Sequence, residues 1–569
     1  MNTPTNPTNH KPTTNALDAL SDRYIDELAA LDPCLASAMG IAGQEEHLTD
    51  FSPRATWERQ NLARRTLTAL NSTPVTGEAG HIAAAVLRER LTTEVALADA
   101  DAYGTLLDTL DGPVQRIRQA IGLLDQGNAT VWEALLARLS AIPATLTGLH
   151  ESLETARHRK RVAPLRQVTR NARECLDMRA YLTTLPPGHG HGPLRHALDE
   201  ATTAANTALT RLASYLTDEL APHAPEHDAV GEDRYHLGVQ EFLGTRLDLH
   251  DVYTWGWDEL TRIQQETTQA AARIAPDEPL PAVLAALDND PRHQATSPAA
   301  FRDWIQQLAE NAINDLDGTH FTIPPPLRHI DCRIAPNQGV AFYLAPSEDH
   351  TRPGTVWWPH LPPDTPIPTW RVPSTMFHEG VPGHHLQLGI TTLNPHLNRF
   401  QRLTSELHPG HVEGWALYAE RLMDELGYFQ NPAHRLGMLT GGQQLRAARV
   451  ILDIGLHLQL PIPPGTGFHE GQHWTPHLAH TFLTQHCQLG PPDFLTWEID
   501  RYLGRPAQAL AYKLGEKTWL QARHTTHYNL TTFHHHALQL PPMGLNLLHT
   551  HLTTPTPQNN TNPTNKNTQ

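Results

Sequence analysis

The fifteen residues Pro373–Gln387 hold His378, Glu379, His384 and His385, and Glu413 follows in Gly410-His-Val-Glu-Gly-Trp-Ala-Leu-Tyr-Ala-Glu420. Imidazole nitrogens and carboxylate oxygens are donors that zinc accepts. A hydrolytic zinc site needs three protein ligands, an open position for water and a carboxylate to take the water's proton. The common solution, HExxH, sets two histidines four residues apart on one helix face with Glu as base. Here Pro382 stands four residues after His378, and the next histidines come six and seven residues after it. In an unbroken helix the sixth residue points away, and the seventh lies about 10.5 Å along the axis, too far to share one ion. Pro382-Gly383 offers a way round, because Pro removes a helix hydrogen bond and Gly accepts a distorted backbone. A break there would bring a later histidine beside His378. The alternative is a helix-ending turn decorated with histidines, which are common throughout this chain.

The elements that must position these residues are mostly helices. Leu17, Leu20, Tyr24, Ile25, Leu28 and Leu31 follow a 3.6-residue period, and the patterning predicts further helices over 56–70, 80–110, 114–124, 129–155, 165–184, 194–218, 237–246, 249–274 and 298–315. Near residue 320 the texture changes. His329–Pro336, Gly339–Ala345 and Arg352–Pro359 are short, apolar and β-prone, so a small hairpin or sheet is expected just before the histidine helix. Such strands could hold a peptide by backbone pairing or only cap the helices. Helices resume at Ser374 and run to about 550. The tails, 1–15 and 553–569, are rich in Thr, Asn and Pro and are expected to be disordered. The chain thus divides into a helical N-terminal region, 16–320, and a site-bearing region, 321–552.

Composition excludes some classes of partner. The 569 residues are 39% hydrophobic, enough for a buried core, and carry a formal charge of −17. That charge disfavours nucleic acid and anionic membrane, which call for clustered Lys and Arg. No apolar run reaches the roughly 18 residues of a membrane helix. The N terminus has no apolar stretch of a signal peptide. Cys34, Cys175, Cys332 and Cys487 lie far apart, which argues against a cysteine metal cluster and suits a reducing compartment. The expectation is a cytoplasmic chain. Of its 37 histidines most are expected to be solvated; His189 and His191 sit in a Pro-Gly-rich loop, and His534, His535 and His536 are contiguous and cannot share one helix face. Nothing in the sequence fixes the oligomeric state.

His-Glu-x-x-Pro-Gly-His-His-Leu-Gln followed by Glu-Gly-Trp-Ala-Leu-Tyr-Ala-Glu resembles domain-of-unknown-function family 885 (DUF885), grouped with the zincin-like metallopeptidases of gluzincin type. The likeness continues in Gln444–His457 and Asp500–Gly515, and more weakly in Asp349–Gly354. One departure is Pro506-Ala-Gln, where the family usually reads Pro-Gly-Gln. The resemblance implies a mainly α, large helical zincin-like fold holding one Zn2+ per chain. It implies His378 as first ligand, Glu379 as general base, His384 as second ligand with His385 as the alternative, and Glu413 as third. Glu420, seven residues further, competes for that third place but lies too far along the helix. Tyr512 is the candidate donor to the oxyanion. Arg449, Asp453 and His457, at i, i+4 and i+8, make either an ion-paired ladder or a set that orients a ligand or binds substrate. Arg501 and Arg505 could hold a substrate carboxylate or only carry helix charges. Trp415 and Tyr418 are expected in the core. The activity implied is hydrolysis of peptide or other amide bonds. Its rivals are processing of a small amide in a biosynthetic pathway and a metal-free scaffold that kept the fold.

Overall fold

The computed structural model describes residues 15–102, 107–124, 131–185, 191–335, 339–361, 366–487 and 492–554. The expected tails therefore lie outside the described residues except for Asn15, Thr553 and Thr554, as does His189. The chain is 69% helical and 4% strand, the mainly-α class expected.

The helices begin where short polar side chains can meet free backbone N–H groups. Asn15 accepts from the Asp18 N–H at 2.8 Å and opens Ala16–Leu31, and Asp248 accepts from the His250 and Asp251 N–H groups and opens Leu249–Ile274. Ser52 and Ser297 do the same, each with Pro in the first turn, for Pro53–Ser72 and Pro298–Leu316. The expected helix over 237–246 begins earlier, at Gly231, and ends where Gly244 takes a left-handed conformation with φ 58°. The one over 80–110 stops at Asp99.

The apolar faces of these helices form two hydrophobic cores. The larger takes in residues from Leu17 to Leu91 and again from Tyr235 to Leu552, so it includes helices from both sides of residue 320. The smaller is built from Phe51 and the helices between Leu107 and Leu220. A three-stranded sheet precedes the histidine helix. Thr355–Trp358 lies in its centre, parallel to Asp331–Ile334 and antiparallel to Phe342–Leu344. A two-residue strand pair, Gln294–Ala295 with Ile367–Pro368, stands apart from it. All four cysteines are buried and unpaired. No described helix is long and apolar enough to cross a membrane.

One close backbone approach fixes two of the helices around the site. Helices Pro409–Glu425 and Ala511–Thr525 cross at Gly414 and Gly515, where a Cβ on Gly515 would stand 2.5 Å from the Gly414 Cα. Only a pair of glycines lets the two backbones touch. The crossing sets Glu413 on one helix near Tyr512 on the other.

Candidate metal centre

The histidine stretch is two helices, not one. Val372–Glu379 ends at Gly380, and His384–Leu393 begins after a tight turn containing a cis Val381–Pro382 bond. The Gly383 N–H donates back to the Phe377 carbonyl at 3.0 Å, and the His385 N–H to the Gly380 carbonyl at 3.1 Å. Gly383 is required by space: a Cβ there would lie 1.9 Å from the His378 carbonyl oxygen. Trp415, fully buried, donates its indole N–H to the Pro382 carbonyl at 2.8 Å and holds the turn from the opposite side. The doubled-back chain brings the His378 and His384 rings to 4.9 Å between centroids, nearly perpendicular at 88°.

Glu413 completes a cluster with them. One donor atom from each of His378, His384 and Glu413 lies within 4.8 Å of the other two. Glu413 Oε2 is 3.3 Å from His378 Nε2 and 3.6 Å from His384 Nε2. Two imidazole nitrogens and one carboxylate oxygen at this spacing suit zinc, whose bonds to them run about 2.0–2.2 Å. His378 is also held from behind: its Nδ1 meets Glu420 Oε1 at 2.8 Å, and the other oxygen of Glu420 accepts from the Ser374 hydroxyl. That carboxylate leaves Nε2 as the nitrogen free for an ion. Gly442 makes room for Glu420, since a Cβ there would be 2.0 Å from its Oε2.

The charges respond to this crowding. Burial by itself would lower the His378 pKa, but hydrogen bonds to Glu413 and Glu420 push it up to about 10. Burial would raise Glu413, yet His378 and His384 hold it well below the usual carboxylate range. Without an ion the cluster therefore draws a proton onto His378 to balance its carboxylates. Burial raises the Glu379 carboxyl, with His378, His384 and Arg446 pulling against it. A buried carboxylate of raised basicity beside the cluster is suited to accept a proton.

His385 stands apart from the cluster. Its Nε2 meets the Leu327 carbonyl at 2.9 Å and its Nδ1 the Tyr343 hydroxyl at 3.0 Å, so both ring nitrogens are used by the protein. Burial pulls its pKa down to about 4, the neutral state this pairing needs. His385 thus ties the second helix to the strand Phe342–Leu344, and of the two later histidines the structure brings His384 to His378 and Glu413.

Tyr512 lies beside the cluster, its ring stacked on His378 at 6.3 Å. Its hydroxyl oxygen accepts from Arg501 Nη2 at 3.3 Å, which leaves its proton to be donated elsewhere. Arg449 and Arg501 support it. Arg449 pairs with Glu498 through two hydrogen bonds of 2.9 and 2.8 Å and lies over the Tyr512 ring at 4.7 Å. Arg501 is engaged by Gln508 and Glu498, so the expectation that it holds a substrate carboxylate is corrected. Arg505 is corrected too: it pairs with Asp111 at 3.4 Å and covers Phe242.

The expected Arg449–Asp453–His457 ladder does not form, because each side chain is buried against a different element. Asp453 accepts from the Tyr235 hydroxyl at 2.7 Å and from the Ala507 N–H at 2.9 Å. His457 meets the Tyr502 carbonyl at 2.9 Å. Among the described contacts, neither hydrogen-bonds to His378, His384 or Glu413. Asp453 explains the departure from Pro-Gly-Gln: Ala507 sits at φ 72°, a conformation that favours glycine, and the hydrogen bond from its N–H to Asp453 helps hold it there. Trp415 and Tyr418 are in the core, the latter with its hydroxyl on His534 at 2.7 Å.

The sequence reading missed Glu420, Ser374 and Tyr343 as partners of the histidines, and Arg446 beside Glu379. Glu420 alone left a signal, the seven-residue interval that puts it on the face of Glu413.

Comparison with curated proteins finds no match. Among solved structures the chain is similar to one from Colwellia psychrerythraea described as a "putative lipoprotein", at 16% identity over 95% of this chain and 99% of that chain, with a TM-score of 0.76. It is also similar to a "putative lipoprotein of unknown function" from Shewanella oneidensis, at 16% identity over 95% and 100% of the two chains, with a TM-score of 0.67. At that identity the likeness shows the fold. Both of these neighbours are described as putative lipoproteins, which counts against the cytoplasmic expectation, and that expectation is withdrawn. The cysteines explain the error. Burial raises the thiol pKa of all four, to about 12 in Cys175, Cys332 and Cys487, and a buried neutral thiol is inert in any compartment. Residues 33–552 match a family described as bacterial proteins of unknown function, and the chain belongs to that family, DUF885.

Proposed function

We propose that this protein is a zinc-dependent hydrolase of peptide or other amide bonds, of the zincin-like kind. The observation that supports this reading is the meeting of His378, His384 and Glu413 from three helices with Glu379 beside them. Those three residues would hold the ion, which when bound supplies a Lewis acid that polarises the amide carbonyl and acidifies water. Glu420 holds the His378 ring by Nδ1, which leaves Nε2, on the Glu413 side, as the nitrogen that would bind an ion. Glu379 takes a proton from the attacking water and gives it to the leaving amine, so one C–N bond is exchanged for one C–O bond and the proton count balances. Tyr512 donates its hydroxyl proton toward the carbonyl oxygen as negative charge develops there, while Arg501 and Arg449 keep the ring in place.

Two measurements test this. Elemental analysis of the purified protein is expected to give close to one zinc per chain, and hydrolysis of a peptide and small-amide panel is expected to stop on chelation and return with zinc. A protein that takes up no zinc, or one whose hydrolysis ignores chelator, would remove the reading.

A further inference from the structure

Three arginines, Arg446, Arg449 and Arg501, lie over the Tyr512 ring, and the charges of two of them, like that of nearby Arg505, are spoken for. Arg449 forks onto Glu498, Arg501 onto Gln508 and Glu498, and Arg505 pairs with Asp111. Arg446 differs. It sits near the start of Leu445–Leu458, half-buried, with Nη1 donating to the Gly441 carbonyl and with Nε enclosed and unpartnered. Among the described residues no carboxylate lies within ion-pair distance of it. Its guanidinium carbon is 5.5 Å from the centre of the Tyr512 ring, which also stacks on the His378 ring at 6.3 Å. Its charge reaches Glu379.

A guanidinium with an unpartnered Nε and no carboxylate at ion-pair distance keeps its charge available to an incoming anion. The planar fork of Arg matches a carboxylate through two parallel hydrogen bonds. Its place, across one tyrosine ring from the metal cluster, fits an anion carried on the same molecule as the scissile amide and close to it. Resting on the hydrolase reading above, we propose that Arg446 binds the free carboxylate of the substrate. The substrate class is then peptides or acylated amino acids cleaved next to a C-terminal carboxylate, and Arg446 is the residue that selects them.

The probe pair is N-benzoylglycyl-phenylalanine and its C-terminal amide, titrated calorimetrically into the full chain after chelation, so that zinc itself cannot bind the carboxylate. The acid is expected to bind roughly 10–100-fold tighter than the amide. Arg446→Gln is expected to bring the acid down to the level of the amide without moving the amide. Arg446→Lys should keep part of the preference and carries the residue assignment if Arg446→Gln does not fold. Equal affinities in the wild type, or a preference that survives in Arg446→Gln, would overturn the proposal. Hydrolysis by the zinc-loaded wild type is scored separately. No chelator-sensitive cleavage of either compound would sink the hydrolase reading, while the carboxylate preference would still stand as a binding property.

Discussion

Glu413 and Glu420 reach the two nitrogens of one imidazole, Nε2 of His378 at 3.3 Å and Nδ1 at 2.8 Å. Their seven-residue spacing on one helix allows this, and their roles differ by which nitrogen they meet. Glu413→Ala should leave the protein without metal, whereas Glu420→Gln should keep the site and weaken zinc about 10–100-fold, as loss of a carboxylate behind a ligating histidine does. Zinc titrations of the two variants check both. Glu379→Gln should retain zinc and lose turnover by orders of magnitude, since the proton acceptor is gone. Asp453 gives a stability prediction with a definite sign. Burial raises its carboxyl from 3.8 to about 7. A raised acid favours the fold most below its unfolded pKa, and that contribution is lost as pH rises from about 4 to 7. Asp453→Asn removes the titrating group, so its stability relative to wild type should increase across that window and level off above it. Denaturant unfolding at pH 4, 5.5, 7 and 8 measures this.

At the scale of elements, the break at Pro382-Gly383 was legible because its cause is local: one residue without an N–H and one without a Cβ. Which later histidine it returns to His378 was left open on spacing alone, because the deciding partners, Tyr343 and Leu327, come from a strand and a turn some 40 to 60 residues upstream. His384→Ala should empty the site. His385→Ala should keep metal and lower stability by about 1–3 kcal/mol by leaving the Tyr343 hydroxyl and the Leu327 carbonyl without their partner. If His385→Ala abolishes zinc binding and His384→Ala only weakens it, the assignment reverses. Gly383→Ala tests the turn itself. Its methyl group would collide with the His378 carbonyl, so zinc binding should fall far more than helix content measured by circular dichroism. The supposed ladder on Leu445–Leu458 failed for the opposite reason. Periodicity gave the shared face correctly, but the face is buried, and Asp453 bonds to Tyr235, 218 residues away, where no spacing rule reaches.

At the scale of the molecule, helix Pro492–Gly504 joins the two cores. Glu498 on it holds Arg449 and Arg501, which flank Tyr512. Asp500, on the same helix, is gripped by Arg166 and Arg170, each at 2.9 Å, and its carbonyl accepts from Gln167 at 2.8 Å. Those three residues belong to Leu165–Thr183, a helix of the smaller core. The hydroxyl that would answer the developing negative charge is therefore geared to a body that contributes nothing to the ion's coordination. A tilt of that outer body would swing the arginines and with them the tyrosine, while His378, His384 and Glu413 stayed where they are. On the proposed hydrolase reading, the rate of bond cleavage and the affinity for zinc would hang on different parts of the chain and could drift apart. Asp500→Asn is expected to lower kcat several-fold with zinc content unchanged, the signature of a machine whose grip and whose stroke are set by separate frames.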